Sequence, residues 1–207
     1  MASQEPVLGS SVHDAAQRAA DLLAVLLPGR GRAAVIEVLR KYGEPEPIEI
    51  SAADLAELGQ AALDLREVFA AGDADTAADR LNGLLASRAH PPRLTSHGGT
   101  SGWHVHVDGD DDAPWAHWYL ASSCLALAVL LAERQAAPAG LCAARSCGRP
   151  FVNVGRGAVR RYCSAACGTR DRVARHRAIQ AGEERNRGAM KGLSVWNTSI
   201  WAVRACP

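Results

Sequence analysis

The first 135 residues alternate between apolar runs with helical spacing and short breaks rich in glycine, proline or charge. Apolar residues that recur every three or four positions are typical of amphipathic helices. Four segments show this pattern: 11–27, 33–41, 51–72 and 75–88. Ser51 and Asp54 are spaced as in a capping box, which predicts the start of the third helix. Ile48 and Ile50 flank Glu49 and predict a short strand before it.

After residue 90 the pattern becomes alternating. The segments 93–97 and 103–107 flank a glycine-rich stretch and predict a β-hairpin. In the second segment His104 and His106 share one face, opposite an apolar face made of Trp103, Val105 and Val107. Two histidines can ligate a metal, but the spacing places no third histidine or acid beside them. We therefore interpret them as the polar face of a strand.

The longest uncharged apolar run, 118–132, is fifteen residues long and follows a proline at position 114. Proline is tolerated in the first turn of a helix, so a helix that starts here is predicted. A membrane-spanning helix needs about twenty apolar residues, so we expect a buried core helix and no membrane association. Cys124, within the run, is expected to be a small buried apolar residue. With no signal-peptide pattern at the amino terminus, a cytoplasmic location is expected.

Four of the six cysteines form two close pairs near the carboxyl end. Their spacing is Cys-x4-Cys-x15-Cys-x3-Cys, from Cys142 and Cys147 to Cys163 and Cys167. Two cysteine pairs with a short spacer are typical of one tetrahedral zinc site. In a reducing compartment this spacing favours a metal over disulfides. Because four protein ligands leave no open position, we predict one structural Zn²⁺, with no catalytic residues.

The net charge of +1 conceals a division between two parts of the chain. Residues 1–140 contain 19 acidic and 10 basic residues, whereas 141–187 contain 11 arginines and 3 acidic residues. Arginine suits bidentate contacts to phosphate and guanine, so the basic segment predicts nucleic-acid binding. The candidate DNA-contacting residues are Arg160, Arg161, Arg170, Arg172, Arg175 and Arg177. Docking of the basic segment on the acidic part of the same chain explains the charges equally well.

The segment from Cys142 to about Arg177 resembles the CGNR zinc finger. Besides the cysteines, the similar features are the run Arg-Arg-Tyr-Cys-Ser at 160–164, Cys-Gly-x-Arg at 167–170 and the basic helix that follows. The signature asparagine of the family is Thr169 here, and an aspartate usual before the arginines is Asn153. Residues 12–135 look like a divergent ABATE domain. The resemblance implies a bacterial, stress-induced transcription regulator.

Together these observations predict a mainly α protein with a small β-hairpin, an α+β fold with a treble-clef-like four-cysteine zinc finger. We predict an acidic helical ABATE-like domain at 1–137, the finger with its basic helix at 138–187, and a tail at 188–207. The predicted function is zinc-dependent DNA binding in transcription regulation, without enzymatic activity. The helical domain would bind an effector or form a homodimer. The alternative is a protein-interaction module whose finger docks on its own acidic domain or on a partner.

Overall fold

Helices make up most of the computed structural model, which describes residues 8–99, 102–110, 112–155 and 157–196. Six helices lie in this part of the chain: α1 Leu8–Leu26, α2 Arg32–Lys41, α3 Ala52–Phe69, α4 Ala74–Arg88, α5 Trp115–Arg134 and α6 Ala165–Trp196. The strands form two antiparallel pairs: β1 Arg93–Thr95 with β2 His104–His106, and β3 Ala139–Leu141 with β4 Pro150–Val152. The predicted fold class, mainly helical with a small β component, is confirmed.

The chain divides into two compact units, residues 1–163 and 164–207. The first contains α1 to α5 and all four strands, and the described part of the second is α6. The predicted divisions after residues 137 and 187 concern sequence modules and stay predictions. Of the predicted tail, residues 188–196 continue α6, and 197–207 lie outside the described residues.

Helix α5 is the centre of the first unit and contacts α1, α3 and α4. Tyr119, Leu127 and Leu130 are fully buried on it, and the Tyr119 hydroxyl donates a hydrogen bond to the Ala19 carbonyl at 3.1 Å. By length and composition alone, its twenty residues meet the requirement for a membrane span. The packing of α5 against three helices explains its apolar composition, in agreement with the predicted core helix.

The capping box predicted for α3 is present. The Ser51 hydroxyl accepts a hydrogen bond from the Asp54 amide, and the Asp54 carboxylate accepts one from the Ser51 amide. The strand predicted at 48–50 is wrong. Ile48 and Ile50 are buried in the core, but the segment pairs with no strand in the described structure. The alternating pattern here reflects the burial of two side chains, although the backbone of this segment forms no strand pairing.

The hairpin predicted between residues 93 and 107 is confirmed, with Leu94 opposite Val105 and Thr95 opposite His104. Most of its apolar face, however, points to solvent; Val107, directly after β2, is the buried exception. Leu94, Trp103 and Val105 are 67, 74 and 45 % exposed, whereas Thr95 is buried and both strand histidines are partly buried. The polar face is thus the inner one, which alternation alone could not indicate.

Strand β4 begins three residues after Cys147, the second cysteine of the predicted finger. It pairs antiparallel with β3, with Gly140 opposite Phe151. The pair lies in the first unit, where β4 contacts α1 and β3 contacts α3. Ala139 and Val152 belong to the same buried core as the helices. The first half of the finger is therefore built on the helical part of the chain.

Gly140→Ala should destabilise this strand pair. A Cβ at Gly140 would lie 2.8 Å from Cζ of the buried Phe151 ring, so the ring or the backbone would have to shift. Overpacking of this kind costs about 1–3 kcal/mol. Chemical denaturation of the zinc-loaded protein should show that the free energy of unfolding falls by this amount.

Gly83→Ala provides the matched control. Gly83 lies on the exposed side of α4, and nothing surrounds its missing Cβ within 4 Å. Alanine is the better helix former, so this variant should be stabler by about 0.5–1 kcal/mol. Equal stability of the two variants would contradict the packing at Gly140.

Candidate metal centre

The first cysteine pair lies in the connection between β3 and β4. The Cys142 amide donates to the Arg149 carbonyl and the Cys147 amide to the Ala144 carbonyl, both at 2.9 Å. Gly148 follows with φ of +62°, the left-handed conformation that glycine adopts without cost. These bonds form a tight knuckle and hold both sulfurs on one side of it.

The second pair lies at the start of α6. Cys167 is in the first turn of the helix, where its amide donates to the Ser164 hydroxyl at 3.2 Å. A thiolate is favoured there because the amino end of a helix carries a partial positive charge. Near Cys163, the Arg161 carbonyl accepts a hydrogen bond from the Ala143 amide at 2.9 Å, which ties the second pair to the knuckle.

The four predicted ligands are brought together. Their sulfur atoms all lie within 4.8 Å of one another, and Sγ of Cys147 is 3.7 Å from Sγ of Cys163. With Zn–S bonds of about 2.3 Å, a tetrahedral site needs sulfurs about 3.8 Å apart. The spacing fits a zinc ion, and it is too long for a disulfide. Cys142 and Cys167 are buried, which shields the site from solvent.

Four cysteine sulfurs that surround one point, two on a knuckle and two at a helix start, define a structural zinc finger. The chain from 139 to 180, about a fifth of its length, matches the family model of the CGNR zinc finger. No curated protein matches the chain. The ABATE-like domain predicted for residues 12–135 lies outside the matched segment and stays a prediction.

Two of the predicted DNA-contacting arginines lie beside the cysteine site. Arg160 donates a hydrogen bond from its guanidinium to the Val152 carbonyl, and the guanidinium carbon lies 5.2 Å from the centre of the Phe151 ring. This arginine is thus engaged within the finger. The guanidinium carbon of Arg161 lies 6.0 Å from the centre of the Tyr162 ring, and Arg161 is exposed.

The other four candidate arginines are exposed on α6. Nε of Arg175 donates a hydrogen bond at 2.9 Å to Oδ2 of Asp171, one turn earlier in the helix. The Arg172 guanidinium donates to the Thr169 hydroxyl at 3.2 Å. The side chains of Arg170 and Arg177 enter no hydrogen bond or ion pair in the part of the chain that the structure describes. Seven residues apart, they share one face of the helix.

Asn153 has a structural role that the sequence analysis missed. Its side chain is 2 % exposed; Nδ2 donates to the Ala137 carbonyl at 3.1 Å, and Oδ1 accepts from the Arg160 amide at 3.3 Å. The amide thus fixes the loop that leads to the second cysteine pair. Both a donor and an acceptor are needed, which explains an amide at this position. The spacing of the chain contains no signal for these partners.

Asn153→Asp should destabilise the finger, because a carboxylate oxygen would face the Ala137 carbonyl without a proton to donate. An unsatisfied buried group of this kind costs about 1–3 kcal/mol or more when charged. Denaturation of the zinc-loaded protein at neutral pH measures the effect. Asn82→Asp, at an exposed position of α4, is the control and should change stability by less than about 0.5 kcal/mol. Equal effects would rule out the assigned role.

Cys163→Ser should remove a quarter of the zinc site. A quarter of the roughly 10–16 kcal/mol typical of structural zinc is about 3 kcal/mol, or more than a hundredfold in affinity. Competition with a chelator measures the affinity, and the thiolate-to-metal absorption of the cobalt-loaded protein reports the sulfur ligands directly.

Cys124→Ala is the matched control for that variant. Cys124 is buried on α5, and burial raises the pKa of its thiol to about 12, so it remains a neutral thiol. Metal content and cobalt absorption should equal those of the unsubstituted protein. Loss of metal on this substitution, or an unchanged zinc affinity and cobalt absorption in Cys163→Ser, would contradict the four-cysteine site.

Proposed function

We propose that the protein is a zinc-dependent DNA-binding regulator of transcription. In this proposal zinc holds the finger in its folded form, arginines of the finger contact phosphates and base edges, and the helical domain senses a signal or forms a dimer. The proposal assigns no reaction to the protein.

The exposed arginines of α6 support the proposal most directly. Between residues 169 and 181 every side chain is exposed except Asp171, so this stretch presents its charge to solvent. A basic helix next to a zinc site is the kind of element that binds nucleic acid. The match to a zinc-finger family is compatible with this role.

The contacts made by each arginine rank their expected contributions. Arg170 and Arg177 are the first candidates for phosphate contacts because they share a face and are exposed. Arg172 and Arg175 would have to exchange partners within α6, at some cost in binding energy. Arg160 supports the finger, so its substitution should reduce binding indirectly.

The outer face of the β1–β2 hairpin supports a contact role for the helical domain. Leu94, Trp103 and Val105 form an exposed apolar surface, and such surfaces mark interaction sites in many proteins. A homodimer contact here is part of the proposal. The effector is proposed from the resemblance to bacterial regulators alone.

The double substitution Arg170→Gln and Arg177→Gln should weaken DNA binding in a salt-dependent manner. The slope of log affinity against log salt is negative, and each lost phosphate contact reduces its magnitude by about 0.9, so the magnitude should fall by about 1.8. Fluorescence anisotropy with labelled duplex DNA and zinc-loaded full-length protein, at several salt concentrations, measures both quantities.

A charge-matched control is available in the helical part of the chain. Arg30 and Arg80 are exposed, and their replacement by glutamine removes the same net charge. This variant should keep the slope of the unsubstituted protein. Equal losses in the two double variants, or no DNA binding by the zinc-loaded protein at low salt, would overturn the proposal.

A protein-interaction module is the second candidate, and the packing of β3 and β4 on α1 and α3 favours it. The contact seen there is apolar, through Ala139 and Val152, rather than an attraction between opposite charges. If the finger acts only in docking, the anisotropy experiment will show no salt-dependent binding, and the arginine substitutions will leave any partner binding through the strands unchanged.

A further inference from the structure

Three histidines of the β1–β2 hairpin converge on one point, far along the chain from the cysteine site. The imidazoles of His97, His104 and His106 place one nitrogen each within 4.8 Å of the others. Nε2 of His104 lies 3.1 Å from Nε2 of His97 and 2.9 Å from Nε2 of His106. The interpretation of these residues as a polar strand face missed the third histidine.

Local backbone structure brings the third histidine into place. His97 opens a short 3₁₀ turn with φ of +47°, a left-handed conformation that is uncommon outside glycine. Its amide donates to the Thr95 hydroxyl at 3.1 Å, and Gly98 and Gly99 also have positive φ. The turn reverses the chain and points this imidazole back toward β2.

The outer nitrogens of the two strand histidines have acceptors as partners. Nδ1 of His104 lies 2.7 Å from the Gly102 carbonyl, which can only accept, so this nitrogen carries the proton. Nδ1 of His106 lies 2.9 Å from Oδ1 of Asp108, closer than the Arg93 guanidinium at 3.4 Å. Asp108 is buried and also accepts a hydrogen bond from Arg93. This arrangement is the outer-shell support typical of metal-binding histidines.

With their Nδ1 atoms protonated, His104 and His106 turn the Nε2 lone pairs toward each other. Two lone pairs 2.9 Å apart repel unless a cation lies between them. Three imidazole nitrogens on a zinc ion, at bonds of about 2.0–2.1 Å, would be about 3.3 Å apart, close to the separations here.

We propose that His97, His104 and His106 bind a second metal ion, a divalent first-row transition metal. Neutral imidazoles suit Zn²⁺, Ni²⁺, Co²⁺ and Cu²⁺ rather than Mg²⁺ or Ca²⁺. Three protein ligands leave at least one coordination position for water or another ligand, unlike the closed cysteine site. This site is independent of the finger, and its existence does not depend on DNA binding.

The experiment is a titration of Ni²⁺ and of Zn²⁺ into full-length protein whose cysteine site is already filled with zinc. Calorimetry should show one additional equivalent. Long-range proton–nitrogen spectra of the imidazoles should show shifts in three of the seven histidines, with His13, His90, His117 and His176 unchanged. This second readout uses the unsubstituted protein, so it decides the question even if a variant fails to fold.

Substitutions test the ligands and their support separately. His104→Ala should abolish the additional equivalent while the cysteine site keeps its zinc. Asp108→Asn should lower the affinity for the additional metal ion by about 10–100-fold, the usual effect of losing a carboxylate that supports a ligand histidine. His90→Ala, at an exposed position, is the control and should bind both equivalents.

The proposal is overturned if no additional equivalent binds, which would leave a shared proton as the cation between the imidazoles. It is also overturned if the additional equivalent survives in His104→Ala, if Asp108→Asn binds it with unchanged affinity, or if the shifted resonances belong to other histidines. None of these outcomes affects the salt-dependence test of DNA binding.

Discussion

Closure of the finger around a cation is the interaction on which its structure depends. The segment from Cys142 to Cys167 is only 26 residues long, and a module of this size cannot bury enough surface to fold alone. Zinc replaces a core by joining the knuckle after β3 to the start of α6. Arg170, the first arginine of the basic helix, follows the last of these ligands by three residues.

The strands of the finger contribute to a different core. Ala139 and Val152 lie among the buried residues of α1, α3 and α5, so the knuckle is anchored to the helical part by apolar packing. Metal and hydrophobic burial thus act on the same short loop from opposite sides. A substitution that weakens zinc binding should also destabilise the packing of the strands, and the reverse, because Cys142 directly follows the last residue of β3.

A related constraint governs the β1–β2 hairpin, whose polar face is turned inward. Buried polar groups are tolerated when they have partners, and here the buried Asp108 carboxylate pairs with Arg93 and with Nδ1 of His106. The same inversion leaves Trp103 and Val105 in solvent. The alternating pattern could not indicate this inversion, because period two defines two faces without saying which one faces the core.

Local spacing in the chain determined the zinc ligands, the helix caps and the long core helix, because each depends on residues within a few positions of one another. The pairing of β3 with β4, the support of Asn153 and the approach of His97 to His104 depend on contacts through space. The sequence of Ala139–Leu141 shows no strand pattern, and this segment becomes a strand only in the tertiary structure, where it packs on α3. The cysteine site could be predicted because its ligands come in close pairs; the histidine cluster could not, because a left-handed turn brings its third member in.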